Sequence, residues 1–163
     1  MRYLIDQFTR MFQDPHGKVF SMFLDVLHEF IRLYKRDLQD WLYTLLTRIL
    51  TKIGSESLSS VHHKLCKCLE CVRLSFDLDL QFNLLVKFIN DKSQTPSLKV
   101  KVAILKYLQD IICYMDAVDF HSTDELKCAI SKIISLTAEP KSADIRKVSV
   151  QFIMLFHLIN FQF

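Results

Sequence analysis

The densest collection of reactive side chains is His62-His63-x-x-Cys66-x-Cys68-x-x-Cys71. Thiolates and imidazoles packed this closely are the ligands zinc prefers. A helix rotates roughly 100° per residue, so Cys66 and Cys68 point about 200° apart and cannot close one tetrahedral site. His62 with Cys66, and Cys68 with Cys71, are then two separate pairs, and neither has a matching half elsewhere in the chain. Cys68 shares the apolar stripe of Leu65 and Val72 and reads as core. No metal site is expected.

The other nucleophile candidates carry less. Cys113 and Cys128 lie in the apolar runs Ile111-Ile112-Cys113 and Cys128-Ala129-Ile130, where free cysteine behaves as a small hydrophobe. His121 is near Cys128 in sequence, but no third group is placed to orient it as a base. Asp37 with Asp40, and Asp77 with Asp79, read as caps and solvated helix ends. Two glycines, Gly17 and Gly54, could hardly build a phosphate-cradling loop. Trp41 and the phenylalanines recur at helical spacing, so Phe8, Phe12, Phe20, Phe23 and Phe30 read as packing rather than a cofactor box. The chain is expected to be neither an enzyme nor a cofactor binder.

The elements that would carry these residues are helices. Two glycines and three prolines in 163 residues are too few turn formers for a sandwich or a doubly wound sheet. Leu38, Trp41, Leu42, Leu45, Leu46, Ile49, Leu50 and Ile53 keep the i, i+3, i+4, i+7 rule, with Asp37 placed as an N-cap and Gly54 as a stop. Ser122-Thr123-Asp124-Glu125 has capping-box spacing, ahead of inward-facing Leu126, Ala129, Ile130, Ile133 and Ile134. The pattern predicts four helix pairs, at about 3–34, 38–76, 80–115 and 124–160. Second helices begin near residues 18, 58, 98 and 143. A period of about 40 to 45 residues is that of HEAT-type or armadillo hairpins stacked into an α-solenoid.

A formal charge of +3 is too mild for a chain built mainly to coat nucleic acid. No apolar run reaches the roughly 18 to 20 residues of a membrane span; Val148–Phe163 is broken by Gln151, His157 and Asn160. Five cysteines and no secretion signal at the N-terminus suit a reducing cytoplasm. The charge gathers at the turns. Asp14-Pro15-His16-Gly17-Lys18, Gln94-Thr95-Pro96-Ser97-Leu98-Lys99 and Glu139-Pro140-Lys141-Ser142 each put a proline before a second helix. In a solenoid such turns line one edge. Lys18, Lys92, Lys99, Lys101, Lys141, Arg146 and Lys147 would form a basic ridge there.

These same turns carry a resemblance. Asp14–Leu24, Gln94–Tyr107 and Glu139–Ser142, with Leu38-Gln39-Asp40-Trp41-Leu42 and Leu80-Gln81-Phe82-Asn83 between them, resemble the CLASP family of cytoplasmic linker-associated proteins. The similarity is to their most C-terminal TOG domain, from about Phe8 to Phe163. It implies a paddle of HEAT repeats whose turns inside each pair face tubulin, in proteins of the microtubule cytoskeleton, the spindle and the kinetochore that suppress catastrophe and promote rescue. By position it implies contacts at Pro15, His16 and Lys18, at Gln94, Thr95 and Lys99, and at Lys141, Ser142 and Arg146. TOG domains usually have six repeats and open on a tubulin-contacting tryptophan; here there are four pairs, and Trp41 lies within a helix. The second turn, Ser55–Ser60, has no basic residue. The resemblance therefore implies an incomplete single domain over 1–163. The competing reading is a scaffold that uses its helical faces to bind another protein, such as a plus-end linker or kinetochore protein.

Overall fold

The computed structural model describes residues 1–116, 120 and 123–160. Among them the chain is all-α, with no strand: α1 (Arg2–Met11), α2 (Gly17–Tyr34), α3 (Leu42–Ser55), α4 (Ser59–Ser75), α5 (Leu78–Asn90), α6 (Leu98–Ile112), α7 (Asp124–Leu136) and α8 (Ala143–Asn160). A 3-10 segment, Lys35–Trp41, joins α2 to α3. The helices pair into hairpins and pack as two compact units, Met1–Asp77 and Leu78–Phe163. His121, Ser122 and Phe161-Gln162-Phe163 lie outside the described residues, and with them the pairing of His121 with Cys128 and any capping by Ser122.

In the first unit α2 packs chiefly on α4, and α3 on α4. The aromatic side chains of the first hairpin interlock as their spacing predicts. Phe8 meets Phe23 and Phe30 edge-on, at 5.6 and 4.4 Å between centroids, and Phe12 meets Phe23 at 5.3 Å. Edge-to-face pairing suits the ring quadrupoles. Trp41 is buried, and its indole Nε1 donates to Thr9 Oγ1 at 2.9 Å, pinning the 3-10 segment to α1.

A ladder of bonds from α4 side chains to α2 carbonyls fixes the register between hairpins. Lys64 Nζ donates to the Ser21 carbonyl at 3.0 Å, Cys68 Sγ to Leu24 at 3.3 Å and Cys71 Sγ to His28 at 3.7 Å. These partners are 43, 44 and 43 residues apart, so the sequence period reappears as a physical offset between parallel helices.

The second unit repeats the plan, with α7 on α5 and α8 on α6. Lys132 Nζ on α7 donates to the Ile89 carbonyl on α5, again 43 residues away. Gln109 Nε2 on α6 donates to the Val148 carbonyl on α8 at 3.0 Å. Within the α5–α6 hairpin, Tyr107 Oη donates to Gln81 Oε1, and both residues are buried.

Three local expectations are corrected. Gly54 does not stop its helix, since α3 continues to Ser55; a glycine weakens a helix interior without forbidding it. Asp37 is not an N-cap but lies inside the 3-10 segment, and α3 begins only at Leu42. Leu38 and Trp41, three apart, share one face of a 3-10 helix as well as of an α-helix, so the apolar pattern could not tell the two apart. Ile134 faces outward, 52% exposed, while Leu126, Ala129 and Ile133 complete the buried stripe of α7. That helix starts on Thr123, whose Oγ1 accepts from the Leu126 N–H at 3.1 Å.

Candidate partner-binding turns

All four turns inside the hairpins are closed by the same device. An acidic side chain accepts the backbone N–H two residues further on: Asp14 from His16 at 2.7 Å, Glu56 from Leu58 at 2.7 Å, Asp91 from Ser93 at 2.8 Å and Glu139 from Lys141 at 3.1 Å. For Asp14 and Asp91 this is the local bonding by which a short side chain mimics a backbone turn, and Glu56 and Glu139 reach the same N–H with one more methylene. It has a consequence for charge. The carboxylates are turned onto the backbone, and in three of the four turns exposed lysines follow: Lys18, Lys92 with Lys99, and Lys141.

In the first unit the α1–α2 turn presents Pro15, His16 and Lys18, all exposed. His16 Nδ1 also lies 3.3 Å from Asp14 Oδ1. The α3–α4 turn is different in character, with Leu58 56% exposed and no basic residue between Ser55 and Ser60.

The second unit holds the remaining six predicted residues. Gln94, Thr95 and Lys99 are exposed at the α5–α6 turn, and Lys141 is exposed at the α7–α8 turn. The two turns are neighbours at one end of the unit. Val102 and Lys106 of α6 line one cleft with Asp144, Lys147 and Val148 of α8, so the two helices run parallel with their starts side by side. Gln94 and Thr95 likewise share a cleft with Ser135 and Leu136 at the end of α7.

Two of the predicted contacts have structural partners already. Ser142 Oγ accepts the Ile145 N–H at 3.3 Å, acting as a cap for α8. Arg146 is half-buried and folds back, its Nη1 donating to the Glu139 carbonyl at 2.7 Å and the Pro140 carbonyl at 3.4 Å. Both residues shape the α7–α8 turn from within. Lys99 is different: it lies in the first turn of α6, which contains no acidic residue. A cation there opposes the helix macrodipole, so helix stability gives no reason for it.

Asp91 follows the last turn of α5, where a negative charge is unfavourable. The Ser93 hydroxyl and N–H, at 2.6 and 2.8 Å, hold its carboxyl below the usual range. The prolines that mark three of these turns in the sequence do not announce this acidic clasp. Its signal was present as an Asp or Glu at the same place in each turn, Asp14, Glu56, Asp91 and Glu139, but only one side chain per turn carries it.

The cysteine cluster resolves differently. Cys68 and Cys71 both face α2 and donate to its carbonyls, while Cys66 is exposed. Burial pushes the Cys68 thiol up to about 12, helped by the neighbouring Cys71 and Asp25. Among the described residues no three His, Cys, Asp or Glu side chains converge as metal ligands. No helix of the described residues is long and apolar enough to cross a membrane.

Hairpins joined by clasped turns, stacked at an offset of about 43 residues, define a helical-repeat protein of the HEAT type. Comparison with known sequences specifies it further. The chain is 52% identical over 160 residues to CLIP-associating protein 1 of Xenopus tropicalis, covering 97% of this chain and 11% of that protein. It is 35% identical over 163 residues to CLIP-associating protein of Drosophila melanogaster, with coverage of 98% and 11%. To Protein CLASP-2 of Caenorhabditis briggsae it is 26% identical over 120 residues, 73% of this chain and 15% of that protein. No protein-family model matches. The chain belongs to the CLIP-associating protein, or CLASP, family and spans 11% of the length of the vertebrate and fly relatives.

Proposed function

We propose that this chain is a TOG-type module of a CLASP-like microtubule regulator, and that it binds tubulin or the microtubule surface through the turns inside its hairpins. Family membership supports a place in the microtubule cytoskeleton. The observation that carries the reading is the second unit's paired turns, where Lys92, Lys99 and Lys141 are exposed on a backbone already fixed by acidic clasps and caps. A basic edge on a pre-formed backbone meets an acidic partner surface with only its side chains left to order, which favours fast, salt-sensitive association. Gln94 and Thr95 supply exposed polar groups beside the lysines. Pro15, His16 and Lys18 form a smaller surface of the same kind in the first unit. In this reading Ser142 and Arg146 position the fourth turn, and the module catalyses no reaction of its own. Catastrophe suppression, rescue and action at the spindle would follow from that binding within a longer protein.

The test is co-sedimentation with stabilised microtubules at two salt concentrations, comparing wild type with a Lys99→Glu, Lys141→Glu double variant. Salt-sensitive binding that the variant loses is the expected result. A folded wild-type chain that stays in the supernatant would sink this reading and favour a scaffold that binds another partner through its helical faces.

A further inference from the structure

A cleft of about 360 Å³ opens beside the α5–α6 turn, between that turn and α7. Its floor is apolar, made by the side chains of Phe88, Ile104 and Ile133, which are almost fully buried within the unit. Its rim is basic. Lys92, Lys101 and Lys132 line it, against a single carboxylate, Asp91. Both bonds that carboxylate accepts from Ser93 go to Oδ1, and with three lysines against its one charge the rim stays net positive. Lys132 lends one N–H to the Ile89 carbonyl at 3.2 Å, which fixes the ammonium at the edge of the cleft.

An apolar hollow ringed by cations selects for two properties together. A bulky hydrocarbon side chain can leave water in it, and carboxylates on either side of that chain meet the lysines. We propose that this cleft receives one large aliphatic side chain from an acidic segment of the protein partner, with Lys92, Lys101 and Lys132 meeting the flanking carboxylates. The inference rests on the reading that the turns face the partner, and it gives that contact an anchor in place of charge alone. Burial in a hollow adds affinity that salt does not screen, whereas exposed charge pairs weaken as added salt shortens the Debye length.

The test uses a fluorescein-labelled seven-residue peptide of glutamates with leucine at its centre, and the same peptide with serine there. Anisotropy titrations with the whole chain should show the leucine peptide binding about tenfold more tightly, as expected for one buried aliphatic side chain. Ser135 is exposed on the α7 wall. Ser135→Trp should fill the cleft and erase the preference for leucine, with helicity by circular dichroism unchanged. Lys101→Glu should weaken both peptides. Equal affinity for the two peptides, no saturable binding of either, or a leucine preference that survives Ser135→Trp overturns the proposal. Microtubule co-sedimentation separates it from the broader reading. A wild-type chain that binds microtubules but not leucine selectively refutes the cleft alone. A chain that selects leucine yet leaves microtubules untouched refutes the tubulin reading alone.

Discussion

A guanidinium whose Nη1 donates to two carbonyls of its own turn is held by that turn before any partner arrives. Arg146 is therefore expected to matter through the shape of the α7–α8 turn, whereas exposed Lys141 acts through its charge. Arg146→Lys keeps the charge but loses the planar fork. It should raise amide hydrogen exchange at residues 140–142 several-fold, while Lys141→Ala leaves exchange there unchanged. Equal protection in wild type and Arg146→Lys would show that the fold-back does not hold the turn. The cysteines separate in the same way. Cys66, Cys113 and Cys128 are exposed, while Cys68 is buried with its thiol pushed up to about 12. Iodoacetamide at pH 8, read by mass spectrometry, should modify the exposed set first and Cys68 only on unfolding. The sign of the pH effect follows. A thiol whose pKa is raised on folding contributes stability that is complete below about pH 9, its unfolded value, and is withdrawn as pH rises toward about 12. Cys68→Ala should flatten the fall in thermal stability across that window relative to wild type.

At the level of elements, the repeated acidic clasp explains how four turns of unrelated sequence reach similar closure. Asp91→Ala removes the acceptor of two Ser93 bonds and should lower the urea unfolding midpoint. Asp91→Asn, which keeps an acceptor, should lower it less. Gly17 opens α2 with an ordinary negative φ and nothing near a would-be Cβ. Gly17→Ala should therefore stabilise the chain, by up to about 1 kcal/mol. Helix existence and type were legible in the residues because Leu45, Leu46, Ile49 and Leu50 repeat at a spacing only an α-helix satisfies over that length. Boundaries were less so. Leu38 and Trp41 fit a 3-10 turn equally well, and Gly54 lies in the last turn of α3, one turn past the buried Ile49 and Leu50. Ile134 sits at the edge of a stripe whose width is decided by what packs against it, and that neighbour is distant in sequence.

For the whole molecule, the proposed function rests on charges whose meaning depends on what surrounds them. Lysine spacing along the chain pointed to an edge, and in the second unit two turns do lie side by side with Lys99 and Lys141 exposed. The double charge reversal at those residues should reduce microtubule binding at least tenfold at low salt and leave the unfolding midpoint nearly unchanged. A large loss of stability would instead assign them a structural role. What the sequence determined by itself was the helical class, the period of about 40 to 45 residues and the location of the turns, because each follows from the spacing of apolar and turn-forming residues along one stretch of chain. Tertiary structure decided which cations are free. Packing set Lys132 and Lys101 around an apolar cleft and placed both buried cysteines against α2, while the closure of the α7–α8 turn folded Arg146 back and made Ser142 a cap. The cleft and the cysteine contacts depend on distances between groups tens of residues apart, fixed only when the hairpins pack, and the turn on how its own side chains fold back; periodicity carries no information about either.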